Sequence, residues 1–149
     1  MRNPQLAMSD AETNWTEFRE FATVDLEQSF VIAWESEGQS LMIDLDVVLR
    51  PGHTFYEEPR PAEGACYRPA VIEFPICTQI TAPGKDGSDD VTEAIELLKV
   101  GRIAGFRRTG SGRYAISGEF GTVAINSERP LLRLKVPLTG MSGGKPEGN

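Results

Sequence analysis

The stretch SFVIAWESEGQSLMIDLDVVL, residues 29 to 49, limits the possible folds more than any other part of the chain. Apolar and polar residues alternate on both sides of Glu37-Gly38, and alternation around a glycine turn is the pattern of a half-buried antiparallel hairpin. With Ser36 facing Gln39, Trp34 meets Leu41, Ile32 meets Ile43 and Phe30 meets Leu45. The large apolar residues of both arms then share one face, while Ala33 pairs with Met42 and Val31 with Asp44 on the other. A one-residue slip would turn every core side chain to solvent, so the pattern fixes which face is buried.

A second hairpin is expected where GRIAGFRRT and RYAISGEF flank Gly110-Ser111-Gly112, with Phe106 opposite Ile116 and Ala104 opposite Gly118. Glycine supplies the positive φ that a bulged three-residue turn needs. GTVAINS places Val123 and Ile125 on one face, and LLRLKV sets Leu132, Leu134 and Val136 against Arg133 and Lys135. In CYRPAVIEFPICTQI, Ile72, Phe74 and Ile76 alternate with Val71 and Glu73, but Pro69 and Pro75 cannot donate to a ladder, which predicts an edge or bent strand.

Helical signals are few. SDAE, residues 9 to 12, has capping-box spacing, and Trp15, Phe18 and Phe21 follow at helical intervals, which fits a short leading helix or an extended lead-in. DVTEAIELLK, residues 90 to 99, can be capped by Asp90, with Val91, Ala94, Ile95 and Leu98 as its apolar stripe and Gly101 at its close. The expected fold is therefore all-β and mainly antiparallel, a β-sandwich or small barrel of about seven strands with at most one or two short helices. A flexible lead over 1–14, a single domain over 15–138 and a disordered tail over 139–149 complete the expected organisation, since the tail carries too little apolar surface to offset its ordering entropy.

Composition narrows the function. The 149 residues suffice for one core without disulfides, and Cys66 and Cys77 lie eleven residues apart with no CxxC spacing, which favours free structural thiols. A formal charge of −7 disfavours nucleic acid and anionic membrane surfaces as partners. No apolar run reaches the roughly 20 residues of a membrane helix, and the opening MRNPQLAMSD lacks the apolar stretch of a signal peptide, so a cytoplasmic location is expected.

The one histidine lies in RPGHTFYEEPRP, residues 50 to 61. A metal site would recruit His53, Glu57, Glu58 and Cys66, but one histidine four residues from a glutamate matches no ligand box, and no metal or cofactor is expected. No GxSxG elbow supports serine catalysis. Asp44 and Asp46 share a strand face about 7 Å apart, as an acid/base pair requires, yet the same spacing suits the solvated side of a sheet. KDGSDD, residues 85 to 90, has the composition of a calcium loop without its alternation. No glycine-rich phosphate loop stands between a strand and a helix.

Charge segregation remains. Arg102, Arg107, Arg108 and Arg113 place four of the 15 basic residues within one hairpin. Arginine forks suit carboxylate and phosphate recognition and are enriched at interfaces. SFVIAW, PGHTFY and SGEFGTVAI resemble stretches of small bacterial all-β proteins, a resemblance that implies a bacterial setting. The expected function is a cytoplasmic protein-binding protein, with toxin neutralisation of the immunity type as one form. Its binding residues would be Arg107, Arg108 and Arg113, together with His53 and Tyr56. The alternative is a small enzyme or ligand-binding barrel with its site in the proline-rich loop, where His53, Tyr56 and Glu57 would converge beside Asp44 or Cys66, with His53, Glu57 and Asp44 as its catalytic residues; of the two readings, the non-enzymatic one is preferred.

Overall fold

The computed structural model describes residues 13–59, 61–62, 64–82, 91–96 and 98–135, and only the backbone of Glu20 and Val91. The fold is all-β. Among these residues nine strands pair antiparallel throughout: β1 (Thr13–Asn14), β2 (Val24–Glu37), β3 (Ser40–Leu49), β4 (Cys66–Phe74), β5 (Gln79–Thr81), β6 (Gly101–Gly110), β7 (Arg113–Gly118), β8 (Gly121–Asn126) and β9 (Leu131–Leu134). Two 3-10 turns, Trp15–Glu17 and Arg19–Phe21, separate β1 from β2, and a short helix, α1 (Val91–Ile95), precedes β6. The strands beyond the expected seven, β1 and β5, span two and three residues, too few for alternation to show.

The strands follow one path, β5-β8-β7-β6-β2-β3-β4-β9, with β1 beside β6. β6 is the pivot: its start pairs with β2 through Gly101 and Arg102, and its end pairs with β1 through Arg107 and Arg108. The path folds over on itself, because the ring of Phe74 on β4 lies 5.9 Å from Phe106 on β6 and 5.8 Å from Tyr114 on β7, strands that are not its neighbours. The core fills the space between the two halves, and β5 and β9 end the path without pairing with each other.

The first hairpin forms as expected, with a different register. Glu37 faces Ser40 across Gly38-Gln39, so Trp34 meets Ile43 rather than Leu41, and Gly38 takes the positive φ of the turn at 61°. This two-residue slip keeps Trp34, Leu41, Ile43 and Leu45 in the core. Ile32 departs from expectation. A bulge between Val31 and Ala33 turns it outward to 56% exposure, and Val31 takes the core position instead. A second irregularity spans Asp25 to Phe30, where the buried Ser29 hydroxyl donates to the Asp25 carbonyl (2.7 Å) and accepts from the Val48 N–H (3.0 Å). That side chain substitutes for ladder bonds the bulge removes.

β4 is not an edge. β9 covers it, and the Pro69 carbonyl accepts from the Lys135 N–H at 2.9 Å just past the end of β9. The donor that proline lacks is thus missed only where the pairing stops. After Pro75 the chain turns at Ile76, a non-glycine residue at φ 48°, and crosses to β5 beside β8. In the second hairpin Phe106 faces Ile116 as expected, while Thr109 stands unpaired between Arg108 and Gly110, and Ile103 rather than Ala104 faces Gly118. α1 ends at Ile95, shorter than expected, and Gly101 begins β6 at φ 142° without capping a helix. The SDAE box, the KDGSDD loop, Asp90, Val136 and the tail lie outside the described residues.

Candidate functional site

The His53 loop follows β3 and folds through its own backbone. The His53 N–H donates to the Arg50 carbonyl (2.9 Å), and the Tyr56 N–H donates to the His53 carbonyl (3.0 Å). The imidazole Nδ1 accepts from the Phe55 N–H at 3.0 Å, and burial holds its pKa below the ordinary histidine value. Tyr56 packs against the core, Glu57 pairs with Arg68 at 3.0 Å, and Glu58 is exposed. Hydrogen bonds within its own turn thus engage the Nδ1 and the backbone of His53.

The enzyme alternative placed Asp44 or Cys66 beside this loop. Asp44 instead bonds Lys135 at 2.8 Å across a separate groove of about 320 Å³ on the β2-β3-β4-β9 half, where Arg133 and Glu35 also lie. Asp46, opposite Phe30 and Pro69, has its pKa raised by burial. Cys66 and Cys77 are free and buried, and burial pushes the Cys77 thiol up to about 11, which suppresses the reactive thiolate. Among the described residues no three histidine, cysteine, aspartate or glutamate side chains group as a metal site, and no helix is long and apolar enough to cross a membrane.

A larger cleft, about 660 Å³, opens at the tip of the β6–β7 hairpin. Three arginines line it from three separate segments: Arg19 from the second 3-10 turn, Arg108 from β6, and Arg129 from the β8–β9 link. Phe18, Tyr114 and Pro130 form its apolar walls, and among the described residues Glu17 is the one carboxylate in its lining. Thr13, Ser111 and Gly112 complete the rim.

Local packing places each of these groups. Phe18 lies between the two 3-10 turns with its ring 5.9 Å from Phe21 and 5.6 Å from Phe106, so the core fixes the segment that presents Arg19. Arg108 sits between Thr13 of β1 and Tyr114 of β7. The β8–β9 link is held by two backbone bonds, Ser127 N–H to the Gly112 carbonyl (3.0 Å) and Glu128 N–H to the Pro75 carbonyl (2.9 Å), and these aim Arg129 at the hairpin tip. Burial raises the pKa of the Tyr114 phenol, Arg108 and Arg129 draw it down, and Glu128 raises it, so both guanidiniums act on one hydroxyl.

Of the arginines singled out in the sequence, Arg108 alone lines the cleft. Arg107 is exposed opposite Asn14, and Arg113 is exposed opposite Gly110 and Asn126. Arg102 is structural: its N–H donates to Glu119 Oε1 (2.8 Å) and its Nε to the Glu27 carbonyl (3.3 Å). Arg19, Arg129 and Tyr114 escaped the sequence reading because only the strand order brings their segments together, and no spacing or motif marks them. His53 and Tyr56 are not part of this cleft. No family model matches the chain, and no curated protein or solved structure matches it either.

Proposed function

We propose that this is a non-enzymatic binding protein that recognises an anionic group of a partner protein in the arginine cleft. The observation that carries this reading is that Arg19, Arg108 and Arg129 line one cleft together with Tyr114 in a chain of formal charge −7. Guanidiniums gathered against the net charge of a protein make a local positive field, which steers an anionic partner to one place. The apolar walls supply area to bury once the charges have met. Neutralisation of a toxin in the bacterial cytoplasm is one form of such a function, supported by small size and acidic composition.

The test is differential retention of a partner from a bacterial lysate. Immobilised wild-type protein and Arg107→Glu should retain the same partner, and Arg19→Glu with Arg129→Glu should lose it. Equal retention on all three would contradict the reading.

A further inference from the structure

We propose that the group received by the cleft is a phosphomonoester carried on an aromatic or apolar body. The inference rests on the anion-binding reading above and names its chemistry. Among the described residues the lining sets three guanidiniums against the carboxylate of Glu17, with Glu128 nearby at Tyr114, so its balance is cationic and suits an anion. A phosphomonoester carries about −1.5 to −2 at pH 7 and three strong acceptor oxygens, whereas a carboxylate carries one charge on two oxygens.

The donors come from separate parts of the chain. A carboxylate is planar and is satisfied by one guanidinium fork. Arg19, Arg108 and Arg129 arrive from three separate chain segments, and the Tyr114 hydroxyl lies within the field of two of them, an arrangement that suits a tetrahedral oxyanion approached from several sides. Each guanidinium carries five N–H donors, more than one contact uses.

The walls define the rest of the ligand. Phe18, Tyr114 and Pro130 line a cleft of about 660 Å³, a size within the roughly 300–1,000 Å³ of organic-ligand sites and far larger than a bare phosphate needs. The phosphate therefore carries an apolar or aromatic body that packs on these walls. A free phosphorylated metabolite and a phosphorylated tyrosine side chain on a partner share this chemistry.

The test is calorimetric titration of the full chain at low salt with phenyl phosphate, benzoate, inorganic phosphate and a phosphotyrosine peptide. Phenyl phosphate should saturate and bind at least about tenfold more tightly than benzoate or inorganic phosphate. Arg19→Gln and Arg129→Gln, both at exposed positions, should each weaken it about tenfold or more with an unchanged circular dichroism spectrum, and Arg107→Gln should not. A phosphotyrosine peptide that binds more tightly than phenyl phosphate identifies the source as a partner's side chain; equal affinity identifies a free metabolite. Benzoate binding as well as phenyl phosphate, or no saturation by about 10 mM, overturns the phosphate assignment. If the lysate partner still requires Arg19 and Arg129 in that case, the anionic cleft stands and only its chemistry is wrong.

Discussion

The indole Nε1 of Trp34 donates to the backbone carbonyl of Lys99 at 2.7 Å, joining residues 65 positions apart. The same ring meets Phe120 edge-on, with centroids 5.4 Å apart. One side chain on β2 thus fixes the link that brings the chain from α1 into β6, the strand on which both halves of the sheet pivot. Trp34→Phe keeps an aromatic ring and removes the donor, leaving a partly buried carbonyl without it. Urea denaturation should show a loss of about 1–3 kcal/mol. A loss below about 0.5 kcal/mol would mean that other contacts hold the link.

The bulge in β2 makes two isoleucines of similar sequence context behave differently. Ile43 is fully buried and Ile32 is 56% exposed. Ile43→Ala should cost about 2–5 kcal/mol, and Ile32→Ala should stay within roughly 0.5 kcal/mol. Comparable losses at the two sites would show that the hairpin pairs without the bulge.

These two positions also show how far the sequence reaches. Alternation identified the hairpin and its buried face because the side-chain period of a strand is two, and a slip of two residues leaves the face unchanged. It missed the bulge at Ile32, because one unpaired residue reverses the faces with no compositional mark. The second hairpin was legible through Phe106 and Ile116, whose pairing agrees. The cleft was half legible: Arg108 stood out in a local cluster, but Arg19 and Arg129 become its neighbours only through long-range strand order. The sequence suggested chemistry at His53, and an imidazole bonded within its own turn leaves the same trace in a sequence as one bonded to a ligand.

Ile76 is β-branched, holds φ at 48° and is 52% exposed. The left-handed region costs an L-residue roughly 1–2 kcal/mol that glycine avoids, and little burial is lost here. Ile76→Gly should therefore raise the denaturation midpoint or leave it unchanged, although glycine normally destabilises an extended segment by about 0.5–1 kcal/mol. A clear fall in the midpoint would show that Ile76 is not strained.

Gly118 faces Ile103, and a Cβ built there would overlap the Arg102 carbonyl oxygen and meet the Phe120 ring at 2.7 Å. Backbone cannot move aside as a flexible side chain can. Gly118→Ala should destabilise by about 1–3 kcal/mol, as overpacking does. A neutral result would show that the β6–β7 corner is looser than its geometry.

His53 gives a pH signature. Its pKa is lowered on folding, so below the ordinary value of 6.5 the unfolded chain takes up the proton first. Stability is complete above that value and falls as pH drops from it toward the folded pKa, because burial disfavours the charged ring in the folded chain. The stability difference between wild type and His53→Asn should change across this window and be flat above it. A difference independent of pH would indicate that the imidazole titrates alike in the folded and unfolded chain.

Recognition by Arg19, Arg108 and Arg129 is tested by the association rate constant of the retained partner at low and moderate salt. Wild type and Arg107→Glu should associate at a fast, steeply salt-dependent rate, slowed at least about tenfold with a flattened salt dependence in Arg19→Glu with Arg129→Glu. Equal rates and equal salt slopes for the three proteins would contradict it.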